Sequence, residues 1–228
     1  VENGAAFDIN TDETYQTDAA KNNRTRSAIV KIAGAGPDGS GALVNGGTGW
    51  NAALSRVELT DDATIGGPGR IDVRPSVGVA MEGFIKGPGK TLTILDKNYL
   101  NIVGGDTVQV GKIVVKDGGA FSVENENITW DVPGGITLTG GGRIIYRHDN
   151  IPVPVTIPDG DAGTYMADAR VGRQTGKTTV GPGATLTLNG TWASMLIGPL
   201  ENNGTVLAMG NGPYLAGPTT GDGVYRSE

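Results

Sequence analysis

The chain has 228 residues, of which 37% are hydrophobic and 39 are glycine, and a net charge of −6. Apolar residues and glycine together leave enough for the core of one large domain, while the acidity argues against a nucleic-acid partner. The absence of cysteine and the single histidine, His148, exclude disulfide frameworks, thiolate zinc sites and iron–sulfur ligation, and leave no other histidine for a metal site or a serine triad.

The chain starts at Val1 with neither an initiator methionine nor a charged n-region, so it reads as a mature or excised segment. Residues 12–26 are polar on all sides and lack an apolar stripe, which predicts a loop or at most a helical turn. A second short helical candidate lies around Trp50 and Leu54. From residue 91 to 146 the pattern changes to short apolar alternation punctuated by glycine. Strand-like pieces start near Leu92, Leu100, Val108, Ile113, Phe121, Ile128, Ile136 and Ile144, roughly eight residues apart, and three of them make a coil of roughly 22 residues, within the range of solenoid repeats. In this phase Ile136 and Leu138 face inward, and Thr137 and Thr139 outward. The alternation then lapses over residues 147–177, predicting a long loop or insertion, and resumes near Val180. Within that stretch residues 151–157 also read as an extended strand, which two prolines would confine to a sheet edge. No apolar run approaches the ~18 residues of a membrane-spanning helix.

An antiparallel sandwich also has many short strands. It usually carries longer strands and a mixed aromatic core, whereas these strands are short and aromatics make up 5% of the chain. Short aliphatic strands with glycine at the corners suit a coil that turns every few residues and buries its inward side chains against the coils above and below. The predicted fold is therefore all-β: a right-handed parallel β-helix, one domain over residues 1–228, of roughly 8–10 coils.

Several phrases carry a resemblance: Gly-Ala-Leu-Val-Asn at 41–45, Asn-Ala-Ala-Leu-Ser-Arg-Val-Glu-Leu-Thr-Asp-Asp-Ala-Thr-Ile-Gly-Gly at 51–67, Gly-Arg-Ile-Asp-Val-Arg at 69–74, Lys-Thr-Leu-Thr-Ile at 90–94, Gly-Ala-Thr-Leu-Thr-Leu-Asn-Gly at 183–190 and Asn-Asn-Gly-Thr-Val at 202–206. Together they resemble the repeats of autotransporter-passenger-like proteins with pectin-lyase-like β-helices. The resemblance implies a large, exported, modular protein serving as adhesin, surface layer or scaffold. It brings no catalytic motif, so it implies no catalytic residue.

The candidate chemistry is sparse. Adjacent Asp61 and Asp62 would point to opposite faces of a strand and read as a polar corner. Glu124, Glu126 and Asp131 near Trp130 form an acidic face that reads mainly as solvated. Asp159-Gly-Asp161 is an oxygen-rich turn, and its two carboxylates plus carbonyls are the ligands calcium takes, although Arg170 stands where an EF-hand needs an acid. The expected ligand site gathers Trp130, Tyr146, His148, Tyr165, Arg170 and Arg173, the stretch where bases, a histidine and aromatics concentrate beside Asp149, Asp159, Asp161 and Asp168. Trp50, Trp192, Tyr99 and Tyr214 are further rings able to stack on sugars or to cover coil corners. The glycines at 140–142 are no phosphate loop, because neither a helix nor Lys-Ser/Thr follows.

The expected function is a non-catalytic structural or adhesive module of an exported bacterial surface or matrix protein that contacts glycans. The alternatives are a carbohydrate-active enzyme, lyase or hydrolase, of the pectin-lyase-like class, and a self-assembling fibre or surface-layer subunit. The expected location is extracellular or at the cell surface. The expected partners are neighbouring modules, copies of the chain itself and polysaccharide, with calcium as the one cofactor considered.

Overall fold

The computed structural model describes residues 1–9, 29–47, 53–74, 83–95, 99–103, 107–124, 127–147, 150–167, 172–190, 195–210 and 214–228. The candidate helix at residues 12–26 lies outside them. The one helical element among the described residues is a 3-10 turn at Pro37–Gly39, and the Trp50 to Leu54 candidate ends in a strand, Ala53–Leu54.

Every registered strand pair is parallel, and each strand bonds to one a coil further along the chain. The second sheet shows this most simply. It stacks Ala53–Leu54, Arg70–Val73, Tyr99–Ile102, Ala120–Val123, Gly142–Tyr146, Ala162–Ala167, Thr185–Gly190, Thr205–Met209 and Val224–Ser227 in chain order, nine strands deep. The first sheet has 12 strands and runs from Phe7–Asp8 to Thr219–Thr220, with Ile29–Gly34 and Thr129–Asp131 as side branches. A third sheet of three strands joins Arg173–Gln174, Met195–Leu196 and Tyr214–Leu215. Ala120 pairs with Arg143, Arg143 with Thr164 and Thr164 with Thr187, so successive coils take 23, 21 and 23 residues. This is a parallel β-solenoid with the coil length that the sequence spacing predicts.

The core is a set of inward columns. Ile71, Leu100, Phe121, Ile144, Tyr165 and Leu188 stack in the second sheet. Ala63, Leu92, Ile113, Ile136, Val155, Thr178 and Leu200 stack in the first. All of them are buried. β-Branched and aliphatic residues fill these positions because a pleated surface takes stiff χ1 rotamers at little entropic cost. Where two inward side chains would collide, the sequence places glycine. A Cβ at Gly163 would lie 2.8 Å from the Leu138 Cβ and 2.9 Å from its Cδ1.

Corners are closed by buried asparagine. Asn45 Nδ2 donates to the Arg70 carbonyl of the next coil (2.7 Å), while its Oδ1 accepts from the Gly47 N–H (3.1 Å). Asn202 repeats the device near the other end, donating to the Val224 carbonyl (3.3 Å) and accepting from Gly204 (3.1 Å). Gly69 and Gly223 lie against these amides, where a Cβ would come within 2.4 Å of Asn45 Nδ2 and of Asn202 Cγ respectively.

The expected loop at residues 147–177 is corrected in part. Val155–Ile157 and Ala162–Ala167 are interior strands, the former between Ile136–Leu138 and Thr178–Val180, and Arg173–Gln174 is a strand of the third sheet. Ile151, Val153, Val155 and Ile157 are buried, with Pro152, Pro154 and Thr156 exposed between them, so the period of two never lapses here. The prolines do not force an edge, because they precede the ladder. Pro154 needs no N–H there, and its carbonyl accepts from the Ile136 N–H (2.8 Å) while the Val155 N–H reaches the Lys177 carbonyl (2.8 Å).

Candidate functional site

The expected site residues do not form one surface. Tyr146 and Tyr165 follow Ile144 in the inward phase and are 2% exposed, with rings in an edge contact at 5.4 Å. The Tyr146 hydroxyl donates to Gln174 Oε1 (3.0 Å), and the Tyr165 hydroxyl lies 2.9 Å from Thr178 Oγ1. Burial pushes both phenols up, and at Tyr165 the hydrogen bonds with Thr178 and Tyr146 offset only part of it. No ligand can stack on either ring without opening the core, so their assignment to a ligand surface is corrected. Trp130 is half-buried and packs edge-on against Phe121 at 6.1 Å, its Nε1 buried with no hydrogen-bond partner among the described residues. Arg173 is half-buried on the third sheet. His148 and Arg170 lie outside the described residues, as do Asp149 and Asp168.

Asp159 and Asp161 sit at a turn between coils. Asp161 Oδ1 accepts from the N–H groups of Gly140 (2.6 Å) and Ala162 (2.9 Å), so this carboxylate stitches its corner to the preceding coil. Among the described residues no three His, Cys, Asp or Glu side chains cluster as metal ligands do.

The densest polar cluster is elsewhere, on the outward face of the second sheet. Alternation turns Ile71 and Val73 inward and Arg70, Asp72 and Arg74 outward. Register then sets Asn101 and Ser122 beside Asp72 on the next two coils. Asp72 is fully buried between two guanidinium groups, accepting from Arg70 Nε (2.5 Å), Arg74 Nε (2.8 Å) and Arg74 Nη2. Glu124 bridges coils: Oε2 accepts from Arg70 Nη2 (2.8 Å) and Asn101 Nδ2 (2.7 Å), and Oε1 lies 3.3 Å from Arg147 Nη1. Arg70 and Arg147 both lie over the Tyr99 ring, at 5.1 and 5.7 Å from its centroid, and the Tyr99 hydroxyl donates to Ser122 (3.0 Å).

The electrostatics follow from this packing. Partial burial alone would raise the Glu124 carboxyl, but the Asn101 hydrogen bond and the charges of Arg70 and Arg147 outweigh it and hold the group below its ordinary value. Burial raises the Tyr99 phenol, and its Ser122 bond and the nearby arginines offset that only in part. A carboxyl held ionised by guanidinium groups cannot serve as a general acid near neutral pH. The arrangement is thus a charge-assisted clasp across the coils that carry residues 70–147. Sequence reasoning missed it because its inter-coil contacts join residues 23 to 54 positions apart. The signal was Arg-x-Asp-x-Arg at 70–74, aligned at coil spacing with Tyr-x-Asn at 99–101 and Ser-x-Glu at 122–124.

The structure therefore defines the class as a parallel β-solenoid. No protein-family model matches the chain, and no curated protein and no solved structure matches it.

Proposed function

We propose that this chain is a non-catalytic structural module of an exported surface or matrix protein, with glycan contact as its binding role. One observation carries the reading. The outward acid–base cluster of the second sheet is spent on holding coils together: Asp72 is enclosed by Arg70 and Arg74, and Glu124 is held ionised by Arg70, Asn101 and Arg147. A polysaccharide lyase or hydrolase needs acidic and basic groups left free to exchange protons with a substrate. The repeat phrases that resemble autotransporter-passenger-like proteins add support, since rigid exported scaffolds are what such repeats build.

The test has two arms. The chain is incubated with a panel of uronic-acid and neutral polysaccharides, while unsaturated uronate absorbance and new reducing ends are followed. In the source cells, an antibody locates the protein by fractionation and surface labelling. The reading expects no turnover and surface or matrix location. Turnover of any polymer, abolished by Glu124→Gln, would establish the enzyme instead.

A further inference from the structure

The outward faces of this solenoid differ in charge. The second sheet carries the Arg70–Glu124 clasp. A branch of the first sheet carries a column of Lys31, Glu58, Lys86, Gln109 and Asp131, joined in register. Further along the first sheet the character changes. Four successive coils present outward pairs two residues apart: Pro154 and Thr156, Lys177 and Thr179, Pro199 and Glu201, Pro218 and Thr220. The prolines, Thr156, Lys177 and Thr220 are exposed, and Thr179 and Glu201 are half-exposed. The only two charges in the strip cancel each other, with Lys177 Nζ 2.6 Å from Glu201 Oε2. Thr156 and Thr179 make no side-chain hydrogen bond among the described residues, so their hydroxyls face outward unspent.

Building on the glycan-contact reading above, we infer that this proline–threonine strip docks a single extended chain of an uncharged polysaccharide, lying along the solenoid axis. Three physical points select that occupant. Coils repeat at about 4.8 Å and paired outward positions are about 7 Å apart, so four coils offer a strip of only about 20 by 7 Å. A stable protein interface needs roughly 800 Å² from each partner, several times more, whereas a single linear polymer chain needs no greater width. The strip is electrically neutral on a chain of net charge −6, which favours a neutral polymer over a polyanion. Proline has no side-chain rotamers to lose and threonine has few, so a repeating ligand meets a surface that is already ordered.

The experiment is native affinity electrophoresis of the whole chain in gels cast with hydroxyethylcellulose, xyloglucan or galactomannan, with polygalacturonate as the polyanion. At least one neutral polymer should retard the chain, and polygalacturonate should not. The double variant Thr156→Lys/Thr179→Lys should weaken that retardation at least tenfold, with circular dichroism reporting its fold. If it misfolds, Thr156→Val/Thr179→Val gives the answer, because valine keeps the branched shape and removes only the hydroxyls; it should weaken binding severalfold. Failure of every neutral polymer to retard the chain, retardation that survives loss of both hydroxyls, or equal retardation by polygalacturonate would overturn the inference. An inert, surface-located protein that no neutral polymer retards would sink the strip alone and leave the structural-module reading standing. Turnover of a polymer would sink that reading.

Discussion

Leu138 offers the most quantitative test of the packing. It is fully buried, pairs in register with Val115, and fills the space left by Gly163 on the facing strand. Leu138→Ala removes three carbon atoms, a transfer loss of about 2–2.5 kcal/mol at ~0.8 kcal/mol per carbon. The neighbours cannot close the gap easily: the Gly163 backbone is held in its ladder and has no side chain to swing inward. The cavity term should therefore persist, placing the total at about 3–4 kcal/mol, inside the usual range for such changes. Gly163→Ala should also destabilise the wild type, because its new Cβ meets Leu138 at 2.8 Å and the Ile157 Cγ1 at 3.1 Å. In the Leu138→Ala background the 2.9 Å contact with Cδ1 disappears while the 2.8 Å contact with Cβ remains, and the emptied space lets the added methyl and the shortened side chain at 138 shift apart. The double variant should then be more stable than the sum of the single effects by about 1 kcal/mol. Urea unfolding at 25 °C, followed by circular dichroism, measures all four corners of the cycle. Single effects under about 1 kcal/mol, or additivity within about 0.5 kcal/mol, would refute this facing of the two strands.

Four further outcomes are expected. Glu124 has a depressed folded-state pKa, so it contributes stability above its ordinary value of 4.5, and that contribution is lost as pH falls through the lower folded value. Glu124→Gln should lower the urea midpoint at pH 7 and flatten its decline on acidification; an unchanged decline would count against the clasp. Asn45→Ala should cost about 1–3 kcal/mol by leaving the Arg70 carbonyl and the Gly47 N–H without their partner, as read by thermal unfolding. Tyr146→Phe should cost a similar ~1–3 kcal/mol, because the buried Gln174 Oε1 loses its donor, and equal stability of the two proteins would refute that bond. Trp130→Phe should cost far less than Trp130→Ala in the same unfolding assay, since it keeps the ring against Phe121 and removes an unpartnered buried N–H.

Much of the fold was legible in the sequence. Period-2 alternation with glycine at short intervals fixes short strands and a coil near 22 residues, and the inward phase of Ile136 and Leu138 is as observed. Thr137 is more covered than an outward position suggests, at 9% exposed, because Val114 and Thr156 stack on either side of it in the same column. Proline and charge obscured the coil after Tyr146, although Ile151, Val153, Val155 and Ile157 keep the phase. By residue type Tyr146 and Tyr165 read as members of a ligand site, whereas Tyr146, two residues after Ile144, shares its inward phase, and Tyr165 joins that column through the register of the next coil. The clasp of Arg70, Asp72, Asn101 and Glu124 was not legible, because contacts between coils depend on register, and coil lengths vary by several residues.

The central claim is that the chain climbs one coil at a time with its strands in parallel register. The column of Thr93, Val114, Thr137, Thr156, Thr179, Glu201 and Thr220 makes that measurable. The chain has no cysteine, so paired substitutions Thr93→Cys with Thr156→Cys, Thr179→Cys or Thr220→Cys can each carry two nitroxide labels for pulsed electron–electron distance measurement. Three, four and six coil steps of about 4.8 Å predict separations that grow in order, near 14, 19 and 29 Å between backbones. Distances that fail to increase with coil number, as in a folded-back antiparallel sandwich, would contradict the solenoid.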